Sequence, residues 1–357
     1  MNGSENPARL DGIAFLEFCG ATTAYYAELF NKLGMVAAGR SANGDLCIYR
    51  QDAICFVVNH REGSFAAKFA AAHGPCVSAL GFRTRDAAAA SSVARAHGLA
   101  FHDMSPRQKT VDAPVLLGIG GSGLYLVEAD REDRLLGALA PGYEHRGPYE
   151  GIGLVEVDHL THNVREGEHR KWVDFYGDVF GFRTVFEMEV PGKRTAMRTS
   201  ALISPCGRFR IAINEPTQPT SQIQEFIDQM KGEGVQHIAL ASHDLYDSVR
   251  HLRDSDLPFQ QTPQTYYEMV DERLPGHGED LQRLADLGIL LDGEKSGERS
   301  ETGEWGLLMQ IFSRNLVGPA FFEFIQRKGN DGFGEGNAKA LFESIELEQM
   351  QRGVVDA

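Results

Sequence analysis

Phe321-Phe322-Glu323-Phe324-Ile325-Gln326-Arg327-Lys328-Gly329 puts a carboxylate inside an aromatic and aliphatic run with the character of a buried strand. Apolar and polar residues do not alternate cleanly here, so both faces of the strand are expected to be covered. A buried carboxylate without a partner costs several kcal/mol or takes up a proton. Arg327 or Lys328 could compensate it as a buried ion pair, but both flank the end of the run. A metal ion is the other common partner, and His159 and His237 stand in matching strand contexts.

Working outward, the chain reads as two copies of one pattern. Val157-Asp158-His159-Leu160 lies on Ile13-Ala14-Phe15-Leu16. His237-Ile238-Ala239-Leu240 through Asp244 lies on Ala79-Leu80-Gly81-Phe82 through Asp86, and 318–323 lies on 121–126. His159, His237 and Glu323 of the second copy then correspond to Phe15, Ala79 and Leu126 of the first. One half carries a polar constellation where the other carries apolar groups. Each half is expected to hold about four strands and two helices, curled into a half-open barrel around one pocket. Asp86, Ser221 and Asp244 read as helix N-caps. Residues 130–152, charged and rich in Gly and Pro (PGYEHRGPYEG), read as the linker. The domains are therefore expected at 1–150, without metal, and 151–357, with it. The cluster GIGGSG (118–123) lacks the GK[ST] ending and precedes a strand, so it reads as a turn rather than a phosphate loop.

Composition narrows the function. The 357 residues are 42% hydrophobic and 24% charged, ordinary values for a water-soluble globular chain. No apolar run is long enough to span a bilayer, and the polar start lacks a secretory pattern. The formal charge of −15 argues against nucleic acid and anionic membranes as partners. The five cysteines form no CxxC pair and are expected to be reduced thiols of a cytoplasmic protein.

Two imidazoles and one carboxylate on one face leave coordination positions open on a divalent ion such as Fe(II). Oxygen-activating non-haem enzymes need that, because substrate and O2 must both bind. The spacings are 78 (237 minus 159) and 86 (323 minus 237), at equivalent strand places in a repeat. Any one of these histidines alone would more simply be a core or surface residue. His162 competes as a ligand, but three residues from His159 it falls on the opposite strand face. HExxH is absent.

The segments DHLTHNV (158–164), GVQHIAL (234–240), TPQTYYEM (262–269), GILLDG (288–293), LLMQIFS (307–313), GPAFFEFIQRKG (318–329) and GFGEGN (332–337) closely resemble the 4-hydroxyphenylpyruvate dioxygenase family, which includes 4-hydroxymandelate synthase. The resemblance runs nearly end to end and is weaker over the first 150 residues. It implies an α+β architecture, the vicinal oxygen chelate fold (glyoxalase/dihydroxybiphenyl dioxygenase-like), with two domains of paired βαβββ modules. It implies His159, His237 and Glu323 as Fe(II) ligands, with O2 as co-substrate. Gln310 would stand near the oxo-acid and oxygen positions. Asn214 would face the aromatic substrate, with Gln222, Gln236 and Asn337 as further polar groups. Phe312 and Phe321 would wall the pocket, and Phe333 would lie on a gate closed by a C-terminal helix.

The implied reaction converts 4-hydroxyphenylpyruvate to homogentisate by oxidative decarboxylation and hydroxylation, as in tyrosine catabolism. The chain departs from the family at three places. Ala338 stands where the family has phenylalanine, Ala212 where it has proline, and Thr199 where it has serine. Losing that phenylalanine forfeits on the order of 1 kcal/mol of ring contact and opens room for a ring. Asn214 is kept, whereas the synthase carries an aliphatic residue there. Benzylic hydroxylation of synthase type, or another arylpyruvate or 2-oxo acid substrate, therefore stays open. A metal-free ligand-binding module has no use for a complete triad. The resemblance also implies a homo-oligomer, dimer or tetramer.

Overall fold

The computed structural model describes residues 5–140, 143, 150–190, 197–295 and 305–337. Two sheets carry the chain. The first, in the order β2-β3-β4-β1-β5-β7-β6, is built from β1 (Leu10–Cys19), β2 (Val36–Arg40), β3 (Leu46–Gln51), β4 (Ile54–Asn59), β5 (Cys76–Thr84), β6 (Val115–Leu117) and β7 (Gly123–Glu128). The second, in the order β13-β14-β15-β12-β8-β11-β10-β9, is built from β8 (Leu154–Asn163), β9 (Arg183–Val190), β10 (Met197–Ile203), β11 (Arg210–Pro216), β12 (Gly234–Ser242), β13 (Leu290–Lys295), β14 (Trp305–Phe312) and β15 (Phe321–Lys328). Read backwards, the second order matches the first strand for strand, with β13 added at one edge. The internal repeat is thus a repeat of topology: β1 runs parallel to β4 as β8 runs parallel to β11.

The chain divides into two compact units. One comprises Met1–Gly151, Val155–Ala239 and Asn315–Phe321, and the other Ile152–Leu154, Leu240–Arg314 and Phe322–Ala357. In the first unit, Phe15, Ala79, Tyr125 and Val127 meet in one buried cluster with Val57 and Ile48. The β7 contribution corrects the expected one. Leu126 pairs with Phe82 in register and points to the other face, because neighbours on a strand alternate. The cluster is not wholly apolar either. Glu17, two residues from Phe15 on the same strand face, is fully buried. Its carboxylate accepts hydrogen bonds from Asn59 Nδ2 at 2.6 Å, from Ser78 Oγ at 3.0 Å and from Thr110 Oγ1. Desolvation disfavours the charged form, so its pKa lies above the usual carboxylate value despite those three donors.

Helix starts follow the sequence. Asp86, Ser221 and Asp244 each accept from a backbone N–H three residues on, at 2.8, 3.2 and 3.1 Å. The glycine cluster is a tight turn, Ile119–Gly121, between β6 and β7. The expected linker begins instead as a helix, Glu132–Leu139. Two acids open it, Leu136 and Leu139 join the core, and Glu132 takes a two-pronged ion pair from Arg83 at 2.6 and 3.0 Å. In the second unit, the helix Leu245–Asp254 and three shorter ones at Gln264–Glu268, Val270–Arg273 and Leu281–Leu287 lie between β12 and β13 in sequence. β13 runs to Lys295, and residues 296–304 lie outside the described residues. The expected C-terminal helix at 338–350 also lies outside them.

Candidate metal centre

His159 sits mid-way along β8, His237 near the start of β12 and Glu323 near the start of β15. Each offers one ligand atom, and all three atoms lie within 4.8 Å of one another. No other such group of three or more occurs among the described residues. Nε2 of His159 and Nε2 of His237 face each other at 3.3 Å. Two nitrogens each about 2.1 Å from a shared ion, at roughly a right angle, stand close to that distance. A nitrogen, nitrogen, oxygen donor set of this kind suits Fe(II) and similar divalent ions. Glu323 is 1% and His159 2% exposed, so both donors are deeply buried. The two cations that flank the strand have partners of their own: Arg327 donates to the carbonyls of Asn330 and Gly332, and Lys328 pairs with Glu279 at 2.6 Å. The residues fit the ion.

The opposite ring nitrogens are held as well. His159 Nδ1–H donates to Asp158 Oδ1 at 2.8 Å, and Arg210 Nη1 lies 3.8 Å from the other oxygen of that carboxylate. His237 Nδ1–H donates to Gln236 Oε1 at 3.0 Å. Both bonds fix the tautomer with Nε2 unprotonated, the form in which a metal would be bound. Thr161, two residues along β8 on the same face, places Oγ1 2.9 Å from Nε2 of His237. Phe321 stacks on the His237 ring, with centroids 4.9 Å apart and planes 26° from parallel. His162 behaves as its strand parity requires. It is fully buried against Tyr176, and burial, with His237 second, holds its pKa down to about 3.

The register of the second sheet brings further expected residues to this face. Arg210, Ala212 and Asn214 pair with His159, Thr161 and Asn163, and Thr199 pairs with Asn214. By alternation Ala212, Asn214 and Thr199 share the face of His159. Asn214 is 8% exposed and its Nδ2 lies 3.4 Å from Asn163 Oδ1. Phe312 is the register partner of Glu323 and shares its face. Gln310, diagonal to Glu323 in that ladder, donates from Nε2 to Glu323 Oε1 at 2.8 Å and to the Phe333 carbonyl at 3.2 Å. Asn337 Nδ2 donates to Gln310 Oε1 at 2.8 Å. Gln222 is different: it opens the helix Gln222–Met230 and is exposed. Ala338 lies outside the described residues. Asp158 and Thr161 were not expected at the site from the sequence. A polar residue directly before each ligand histidine, Asp158 and Gln236, was the available signal for the first.

Residues 4–138 match the family model for the hydroxyphenylpyruvate dioxygenase N-terminal domain, and 156–269 that of the glyoxalase, bleomycin resistance protein and dioxygenase superfamily. The chain is 41% identical over 354 residues to 4-hydroxyphenylpyruvate dioxygenase of Pseudomonas aeruginosa, covering 98% of this chain and 97% of that one. The chain belongs to the 4-hydroxyphenylpyruvate dioxygenase family. It is an enzyme of that dioxygenase type, on the vicinal oxygen chelate fold. Other relatives in the family's range carry other names: hemolysin VllY of Vibrio vulnificus is 42% identical over 357 residues, covering 98% of both chains. Among solved structures, a triple mutant of 4-hydroxymandelate synthase from Streptomyces coelicolor superimposes with a TM-score of 0.77 at 26% identity, covering 95% of this chain and 99% of that one. No helix among the described residues is long and apolar enough to cross a membrane.

Proposed function

We propose that this dioxygenase is Fe(II)-dependent and acts on 4-hydroxyphenylpyruvate, releasing CO2 and giving homogentisate. The observation that carries the reading is the convergence of His159, His237 and Glu323 from three strands onto one point. A ferrous ion held there would supply open coordination positions at which a 2-oxo acid and O2 meet. The stoichiometry closes without another cofactor, since both oxygen atoms of O2 enter the aromatic product and the carboxylate of the oxo acid leaves as CO2.

The chain's own part is binding, orientation and exclusion of water. Asp158 and Gln236 hold the two imidazoles in one tautomer. Gln310 occupies one oxygen of Glu323 with an N–H, so the carboxylate is presented through a defined edge. Phe321 covers one side of His237 with an apolar ring. Asn214, on the His159 face, offers an amide for a phenolic hydroxyl, which favours a 4-hydroxylated ring as substrate.

The synthase reaction is the second reading, and Ala212 and Thr199 beside Asn214 are what favour keeping it. Anaerobic loading with Fe(II), then addition of 4-hydroxyphenylpyruvate and O2, separates the readings by the mass spectrum of the product. Homogentisate is expected, and 4-hydroxymandelate would replace the first reading by the second. An absence of turnover, with oxygen uptake on phenylpyruvate or indolepyruvate, would move the substrate assignment to another arylpyruvate. Oxygen uptake unaffected by His159→Ala or Glu323→Ala would overturn the iron site itself.

A further inference from the structure

Glu323 is the last acceptor in a directed line of hydrogen bonds that begins at Arg273. A guanidinium only donates. Arg273 Nη2 gives hydrogen bonds to the Tyr266 hydroxyl and to the Leu291 carbonyl, each at 3.0 Å, and its guanidinium carbon lies 5.2 Å from the Tyr266 ring centroid. The Leu291 N–H donates to the same hydroxyl oxygen at 2.9 Å. The oxygen thus takes two donors, and its single proton must point away from both. Its shortest acceptor is Asn337 Oδ1 at 2.6 Å, ahead of the Leu291 carbonyl at 3.0 Å. With Oδ1 taken, Asn337 turns Nδ2 to Gln310 Oε1, and Gln310 in turn aims Nε2 at Glu323.

A donor-only group at one end and an acceptor-only carboxylate at the other fix both amides between them. Reversing either amide would set oxygen against oxygen. Tyr266 is 0%, Gln310 1% and Asn337 2% exposed, so water has little access to repair a broken link. Burial pushes the Tyr266 phenol up to about 12, which keeps it a neutral donor across working pH. Two glycines let residues 333–337 reach this line. A Cβ at Gly334 would stand 2.0 Å from Gln310 Oε1, and one at Gly336 would stand 2.1 Å from Asp292 Oδ1. The Gly336 N–H instead donates to Asp292 Oδ2 at 2.9 Å.

We propose that Tyr266, steadied by Arg273, is a positioning residue for the metal centre: through Asn337 and Gln310 it sets which oxygen of Glu323 faces the ion. Metal binding is thereby tied to the seating of residues 333–337 on β14. This inference rests on the metal reading of the triad and on no assumption about substrate.

Co(II) binding to the anaerobic full-length protein, without substrate, tests it by affinity and by the visible ligand-field bands. Tyr266→Phe keeps the ring under Arg273 and deletes the donor. Its Co(II) dissociation constant is expected to rise about tenfold, with shifted bands. Asn337→Asp keeps the acceptor for Tyr266 but turns an oxygen on Gln310, and a larger loss, up to about a hundredfold, is expected. A folded Tyr266→Phe with wild-type affinity and bands, lowered only in thermal stability, would reduce Tyr266 to packing and overturn the proposal. If Tyr266→Phe does not fold, Asn337→Asp decides by the same readout. Failure of the wild-type protein to take up Co(II) would overturn the metal reading itself, a separate result.

Discussion

His159 Nδ1 stands 2.8 Å from Asp158 Oδ1, whereas His237 Nδ1 meets the neutral amide oxygen of Gln236 at 3.0 Å. The two ligand imidazoles are therefore supported unequally, one by a carboxylate and one by an amide. In a metal-loaded site the carboxylate would make His159 the stronger anchor. Arg210 places a positive charge 3.8 Å from the far oxygen of Asp158.

That inequality predicts a ranking. Asp158→Asn keeps size and an acceptor oxygen but removes the charge. Its affinity for Fe(II) or Co(II) is expected to fall about tenfold. Gln236→Glu, adding a charge behind His237, is expected to change affinity in the opposite direction. Metal titrations of the apoprotein measure both, and equal affinities for wild type and Asp158→Asn would remove the anchoring role of Asp158.

Glu17 gives a pH dependence outside the metal centre. Its folded pKa lies above the ordinary value of 4.5, because desolvation outweighs three donors. The folded state then binds the proton more tightly than the unfolded one. This stabilising contribution is fully present below about pH 4.5 and is lost as pH rises through the folded pKa. Glu17→Gln is expected to flatten that segment of the stability profile and to be no less stable than wild type at neutral pH. Urea denaturation from pH 4 to 8 checks it, and a parallel loss of stability across the range would contradict it.

The meeting of His159, His237 and Glu323 was legible because a strand that must be buried cannot carry a lone carboxylate. The repeat then named the two histidine positions. The repeat itself was legible, but each copy builds a seven- or eight-stranded sheet rather than about four strands. The helix Glu132–Leu139 was hidden in the expected linker, because its Leu136 and Leu139 spacing is short and Pro and Gly follow at 141–148. Leu126 failed because a one-residue offset on a strand exchanges faces. Tyr266 and Arg273 carried no local signal: their meaning lies in contacts with Leu291 and Asn337, distant in sequence.

Gly120 explains part of the GIGGSG cluster. Its φ is +59°, and a Cβ there would stand 2.0 Å from the Glu233 carbonyl oxygen, which is backbone and cannot swing aside. Gly120→Ala is expected to cost at least about 2 kcal/mol, from the left-handed backbone and from overpacking together. Gly121→Ala meets open space and is expected to cost only the backbone term, about 1–2 kcal/mol. Chemical denaturation of the two variants distinguishes them, and equal losses would place the constraint in the turn alone.

Phe321 lies almost flat against His237, 4.9 Å from centroid to centroid, two residues before Glu323 on the same strand face. It therefore covers the His237 ring and would wall the space in front of Glu323. A ring pair of this kind contributes about 1 kcal/mol beyond the area it buries. Phe321→Leu keeps an apolar wall but loses the stack. Binding of 4-hydroxyphenylpyruvate to the metal-loaded protein under anaerobic conditions is expected to weaken about fivefold, the equivalent of that 1 kcal/mol. Metal affinity is expected to change less, because the hydrogen bond from His237 Nδ1–H to Gln236 still fixes the imidazole. Calorimetric titration with metal and then with the oxo acid separates the two effects. A loss confined to metal binding would make Phe321 a support for His237 and not a wall of the substrate pocket.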